Sequence, residues 1–148
     1  MKVMKIFRRD FERYEGVRPI QIYLLRTIFL LVFLFVGSDS WGGILRHRGP
    51  WDPVRAAAVC MWAGYSLLSI LGVFRPLKML PIVLFEIVYK ITWLAAVAWP
   101  LWSAGQLWGS PADPIARAFL WVPLAIVATP WRYVFDTYMR PAPRRAAP

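Results

Sequence analysis

The run Ile20-Gln21-Ile22-Tyr23-Leu24-Leu25-Arg26-Thr27-Ile28-Phe29-Leu30-Leu31-Val32-Phe33-Leu34-Phe35-Val36-Gly37 is apolar except for Gln21, Arg26 and Thr27. At 1.5 Å rise per residue, a helix over this run and its flanks is about 27–30 Å long, one hydrocarbon thickness. It reads as a membrane-spanning helix. A cleaved signal peptide is the competing reading. The charged region before the run is long, and the apolar core exceeds the roughly 7–15 residues of such signals, so the segment is expected to be retained.

Three further runs repeat the pattern. From Ala56 to Phe74 no residue is charged, with Pro53 before the run and Arg75-Pro76 after it, which predicts a second helix punctuated at both ends. A third extends from Met79 to about Trp102 and contains Glu86 and Lys90. A fourth extends from Pro114 to Trp131, with Arg117 one turn in and Pro123 and Pro130 inside it, so a kink is expected. The connections are short and rich in Gly, Pro, Ser and Asp, which makes sequence neighbours antiparallel. The expected fold class is therefore all-α: a polytopic, antiparallel four-transmembrane-helix bundle over residues 19–133, with spans at 19–37, 54–74, 79–102 and 114–131. Residues 1–18 form a basic segment in which Met4, Phe7, Phe11 and Tyr14 recur at helical spacing. That spacing predicts an amphipathic interfacial helix on the anionic inner leaflet, in preference to a regulatory partner site. The Pro- and Arg-rich tail, 134–148, is expected to be cytoplasmic and partly disordered.

Composition agrees with this reading: of 148 residues, 59% are apolar and 18% charged, against roughly 45–50% and about 25% in a soluble domain. The mean hydropathy is +0.47. Eighteen Lys and Arg against eight Asp and Glu give a net charge of +10, which in a soluble protein would point to nucleic acid. These charges flank the spans and lack a folded reader, so no nucleic-acid partner is expected. Topology accounts for them instead. Lys2, Lys5, Arg8, Arg9, Arg13, Arg18, Arg75, Lys78, Arg132, Arg140, Arg144 and Arg145 fall on one side, and only Arg46, Arg48, Arg55 and Arg117 on the other. The positive-inside rule then puts both termini in the cytoplasm and the protein in the inner (plasma) membrane. Lys2, Lys5, Arg8, Arg9, Arg75 and Lys78 are the expected membrane-surface contacts. Trp41, Trp51, Trp99, Trp102 and Trp108 lie at or just beyond the outer ends of the spans, and Trp131 marks the inner boundary.

The reactive inventory is thin. One cysteine, Cys60, excludes an internal disulfide and a Cys-x-x-Cys site. One histidine, His47, in the loop stretch Leu45-Arg46-His47-Arg48-Gly49-Pro50, excludes bis-histidine haem ligation within one subunit. It is expected at the surface. Nucleotide-binding and hydrolase signatures are absent. No metal site, no catalytic residues and no obligatory cofactor are expected, and the sequence leans away from an enzyme.

Charged side chains in hydrocarbon cost roughly 2.5–3.5 kcal/mol on insertion scales, so they turn toward a bundle interior and find partners. Arg26 lies about 10 Å deep counted from Pro19, and Glu86 about 12 Å deep counted from Lys78. Lys90 follows Glu86 by one turn in the favourable order. The expected cluster is Arg26, Glu86 and Lys90, with Tyr65 and Ser66 of the second helix and Tyr89 of the third in the same layer. Its plainest role is to tie the first helix to the third. Its excess positive charge also leaves room for a quinone or phospholipid headgroup. A proton or ion path is a third reading, weakened because Ala95-Ala96-Val97-Ala98-Trp99 offers no titrating group farther out. Ala56, Ala57, Ala58, Ala63 and Gly64, with Ala95, Ala96 and Ala98, allow close helix approach, so a homo-oligomer or a larger membrane complex is a possible partner state besides the lipid bilayer itself.

The first helix, with Leu24-Leu25-Arg26-Thr27-Ile28-Phe29-Leu30 and Gly37, together with four short spans and a basic turn between spans two and three, resembles the DoxX-like family of small bacterial membrane proteins. The resemblance covers roughly residues 18–131 and carries over one motif position, Arg26. It departs from the family's pattern after Gly37, where Ser38-Asp39-Ser40 stands without a lysine. Family members are linked to quinone-coupled sulfur oxidation or to envelope and oxidative-stress functions, so the resemblance implies a quinone- or lipid-linked role. The stretch Arg75-Pro76-Leu77-Lys78-Met79-Leu80-Pro81, followed by Tyr89-Lys90 and Trp93, also resembles uncharacterised four-span proteins. From the residues themselves the leading expectation is an accessory or assembly subunit whose Arg/Glu/Lys cluster specifies packing. The quinone- or anionic-lipid-linked function is the alternative.

Overall fold

The computed structural model describes residues 7–12 and 14–140. Among them every extended regular element is helical: α1 is Pro19–Arg46, α2 Pro53–Phe74, α3 Leu80–Ser103, α4 Asp113–Ala128 and α5 Trp131–Met139. The first three contain 28, 22 and 24 residues, which makes them about 42, 33 and 36 Å long. Their most apolar windows average hydropathies of 2.2, 1.8 and 1.8. All three are long and apolar enough to cross a membrane. Helices α4 and α5 reach that standard only together, and they are bent by 75° at their junction.

Proline sets most of the boundaries. Pro19 and Pro53 open α1 and α2 at positions where a missing N–H costs nothing. The Asp52 carboxylate caps α2 by accepting from the Arg55 N–H at 2.7 Å. In α3, Pro100 cannot donate to the carbonyl one turn back, and the preceding Leu94–Ala98 segment widens into a π-turn. Pro123 acts similarly in α4, where the helix loosens at Leu120 and Trp121. Thr129, placed before Pro130, is driven to extended backbone (ψ 124°), and there α4 ends.

Some boundaries differ from the sequence reading. Helix α1 does not stop at Gly37 but continues through a π-turn at Val32–Val36 to Arg46. The glycine serves approach rather than termination: a Cβ there would lie 3.4 Å from Ser66 Oγ on α2. The extension beyond it packs along α2 with Ser40 buried. At the N-terminus, Met4, Lys2 and Lys5 lie outside the described residues, and the helical spacing through Phe11 and Tyr14 is not realised. Instead Asp10 pairs with Val17, the Gly16 N–H donates to the Asp10 carbonyl at 2.8 Å, and Phe11 folds over Gly16. The reversal needs positive φ at Glu15 (52°) and Gly16 (81°), which an amphipathic helix does not offer. The tail, expected over 134–148 to be partly disordered, is helical in α5 as far as Met139, and its Pro-rich end, 141–148, lies outside the described residues.

Helix α1 packs chiefly against α2 and also against α4; α3 packs against α4 and, more lightly, α2. Contacts therefore run in a ring, with α1 and α3 across from one another. The inner core joins Leu25, Phe29 and Val32 of α1 to Tyr65, Leu80, Val83, Ile87, Val122 and Ala125. Only 33%, 28% and 22% of the apolar windows of α1, α2 and α3 are buried. Phe35, Leu67, Leu71, Val88 and Val127 point outward, and so large an apolar exterior is foreign to water-soluble monomers.

Helices α1 and α2 approach closely at Gly72, where a Cβ would fall 2.4 Å from the Phe29 ring. Gly64, on the same helix, has open space at its Cβ position. Gly72→Ala is expected to lower stability by about 1–3 kcal/mol through overpacking, and Gly64→Ala to leave it unchanged or slightly raised. Thermal unfolding in detergent distinguishes the two.

Candidate functional site

The polar layer forms around Glu86, which is 3% exposed in the middle of α3. Its Oε1 accepts from Lys90 Nζ, one helical turn on, at 2.5 Å. The Lys90 side chain is 14% exposed, and its ammonium sits 5.6 Å from the centroid of the Phe119 ring of α4. Both the carboxylate and the ring therefore face the cation, a favourable arrangement where water is scarce. Tyr65 of α2 is buried beside Glu86, with Tyr89 also in electrostatic reach. Glu86 Oε2 is buried without a hydrogen-bond partner.

Phe119 organises the aromatic wall of this layer. Its ring meets Tyr89 edge-on at 5.5 Å and Trp93 edge-on at 5.2 Å, and Tyr89 in turn contacts Phe85 at 5.3 Å. Neither Phe119 nor Trp93 belongs to the cluster read from the sequence. Both matter to it, because they close the side of the Glu86–Lys90 pair that faces α4.

Arg26 and Ser66 stand apart from the pair. Glu86 and Arg26 form no ion pair, and Arg26 Nε is buried without a partner. The expectation that these two charges join α1 to α3 is thus not met: no ion pair links them, and the ring of contacts puts their helices on a diagonal, with α2 and α4 flanking both. Ser66 is buried too, yet it faces Gly37 of α1 and donates to the Ala63 carbonyl at 2.8 Å. Of the expected cluster, the structure brings together Glu86, Lys90, Tyr89 and Tyr65.

The small-residue stripe divides in the same way. Ala63 and Ala98 are buried, but Ala57, Gly64, Ala95 and Ala96 face outward. The tight helix contacts use Gly37, Ser66 and Gly72 instead. Of the membrane-surface set, Arg8, Arg9, Arg75 and Lys78 are exposed, and Lys2 and Lys5 are outside the described residues. His47 is exposed and stacks on Trp51 with ring centroids 3.6 Å apart. Cys60 is exposed with a free thiol.

A separate cleft of about 790 Å³ opens between the N-terminal loop, the start of α1 and the α4–α5 junction. Tyr133 of α5 donates to Glu15 Oε2 across it at 2.9 Å. Partial burial, and then this carboxylate, hold the Tyr133 phenol above the usual tyrosine range, which keeps it a donor. With this geometry in hand, comparison with protein-family models, curated proteins and solved structures finds no match.

Lys90→Met leaves Glu86 unpaired and is expected to lower stability by about 3–5 kcal/mol, most of which Glu86→Gln/Lys90→Met restores. Because Arg26 lies outside the pair, Arg26→Gln and Glu86→Gln should add to within about 0.5 kcal/mol. Unfolding curves of the single and double variants in detergent check both statements. A coupling of about 1.5 kcal/mol between Arg26 and Glu86 would show that the two charges meet after all.

Proposed function

We propose that this chain is an inner-membrane protein that crosses the bilayer four times, with the bent α4–α5 pair as the fourth crossing, α4 in the hydrocarbon and α5 at its inner surface, and both termini cytoplasmic. It serves as an accessory or assembly subunit, and the Glu86–Lys90 pair sets the packing of its helices. The observation that carries this reading is the closure of the pair. Glu86 is bonded to its own helix and walled by Tyr65 and Phe119. Neither the large cleft nor the two smaller grooves beside Trp99 reach it. A ligand site needs an entry, whereas a packing element needs enclosure. The outward apolar faces support the bilayer reading, because backbone and side chains alike suit a hydrocarbon solvent.

A second reading, suggested by the DoxX-like resemblance, takes the same layer as a quinone or anionic-lipid headgroup site. It draws on the unpartnered Arg26 Nε and Glu86 Oε2. Mass spectrometry of co-purified lipids separates the two: enrichment of a quinone or anionic lipid over a Lys90→Ala control favours the ligand, and equal extracts favour packing.

Purification from native membranes in mild detergent tests the accessory role. A partner is expected to co-migrate in fixed stoichiometry, and a chain that migrates alone contradicts the proposal. Tags at either terminus should react with impermeant reagents only after the inner membrane is opened.

A further inference from the structure

The 790 Å³ cleft takes its shape from the 75° bend between α4 and α5. With α4 running through the bilayer, a bend of that size lays α5 close to the membrane plane, so the elbow sits at headgroup level. The two kinds of wall differ. Arg9 and Arg18 come from the N-terminal loop and the start of α1, and Arg132 comes from α5. Below them Ile126 and Val127 of α4 continue the apolar exterior, and Val127 is 70% exposed.

Charge in the cleft is not balanced internally. Two carboxylates share it: Glu15 accepts from Tyr133, and Asp136 pairs with Arg140 at 2.9 Å and only loosely with Arg132 at 3.9 Å. Arg9 and Arg18 have no carboxylate partner among the described residues. Three arginines thus line one cleft together with an apolar wall and a tryptophan, Trp131. Guanidinium groups match phosphate oxygens in geometry and charge, and the apolar wall matches acyl chains. A small free anion would use the first feature and leave the second exposed.

We propose that this elbow is a binding site for the headgroup of an anionic glycerophospholipid, with its phosphate toward Arg18 and Arg132 and its acyl chains descending past Ile126 and Val127. The site is separate from the Glu86 layer. It rests on the bilayer reading above, but not on the accessory role.

The test uses the full chain in nanodiscs of mixed phosphatidylglycerol and phosphatidylcholine, with retained lipid counted by native mass spectrometry after detergent transfer. Wild type should retain phosphatidylglycerol preferentially, and each of Arg18→Gln and Arg132→Gln should reduce that preference about fivefold. Thr137→Trp fills the cleft without changing charge and should abolish it. Arg75→Gln/Lys78→Gln removes two charges outside the cleft and should keep it. An equal loss in this control means diffuse surface attraction and overturns the site. Full competition by glycerol 3-phosphate assigns the arginines to a soluble anion and overturns the lipid. Release of the chain from native membranes by alkaline carbonate overturns the bilayer reading and the site together, whereas retention in the membrane without lipid preference overturns the site alone.

Discussion

A carboxyl group in the middle of an apolar helix cannot be left against hydrocarbon, and Glu86 imposes that constraint on α3. Turning Glu86 inward carries Leu80, Val83 and Ile87 to the buried side and sends Phe85, Val88 and Ile91 outward. The rotation of α3 is thereby fixed. Lys90, one turn on, supplies the counter-charge from the same helix, so the pair does not depend on α1 for neutralisation. What it asks of other helices is enclosure, and Tyr65 of α2 and Phe119 of α4 provide it. Breaking such a pair costs more than forming it contributes. Its value is that misrotated or misregistered packings would expose a charge.

The other half of the assembly is held by close approach. In lipid there is little hydrophobic drive to bring helices together, so van der Waals contact between small residues becomes the main attraction. Helices α1 and α2 meet through Gly37 on Ser66 and through Phe29 on Gly72. The hydroxyls of Ser66 and Ser69 are satisfied within α2, by the Ala63 and Tyr65 carbonyls, so the interface presents no unmet donor from those residues. Two mechanisms thus divide the structure, with steric fit joining α1 to α2 and polar enclosure ordering α3 between α2 and α4.

The sequence made depth legible and azimuth illegible. Counting residues from Pro19 and Lys78 levels Arg26 with Glu86, but a rise per residue says nothing about which helices are neighbours. Only the packing order, with α1 and α3 across the ring, separates them. Phe119 was open to the same arithmetic from the opposite end: it lies about 9 Å below Asp113, and Lys90 about 18 Å above Lys78, distances that meet in a layer about 30 Å thick. Glycine misled for a related reason. Gly37 reads as a stop because glycine often ends helices, and its real role, admitting Ser66, requires knowing what lies opposite. In the small-residue stripe, composition pointed to Ala56, Ala57, Ala58, Ala63 and Gly64, but of these only Ala63 joins the buried face, which continues through Ser66, Ser69 and Gly72.

Pro130 shows how one residue can shape a site without lying in its chemistry. The absent Pro130 N–H strands the Ile126 carbonyl at the end of α4, yet a local donor answers it. Trp131 Nε1 donates to the Ile126 carbonyl at 2.9 Å, and the Thr129 hydroxyl adds a second donor, at 2.7 Å, to the Ala125 carbonyl that already accepts from the Thr129 N–H. With these groups satisfied, the bend is a stable corner rather than a frayed end. The corner redirects α5 so that Tyr133 reaches back to Glu15, 118 positions earlier in the chain. The N-terminal loop and α5 are thereby joined at one end of the molecule. The same redirection that ends α4 brings Arg132 into the cleft that Arg18 also lines, whereas a straight continuation of α4 would have carried it away.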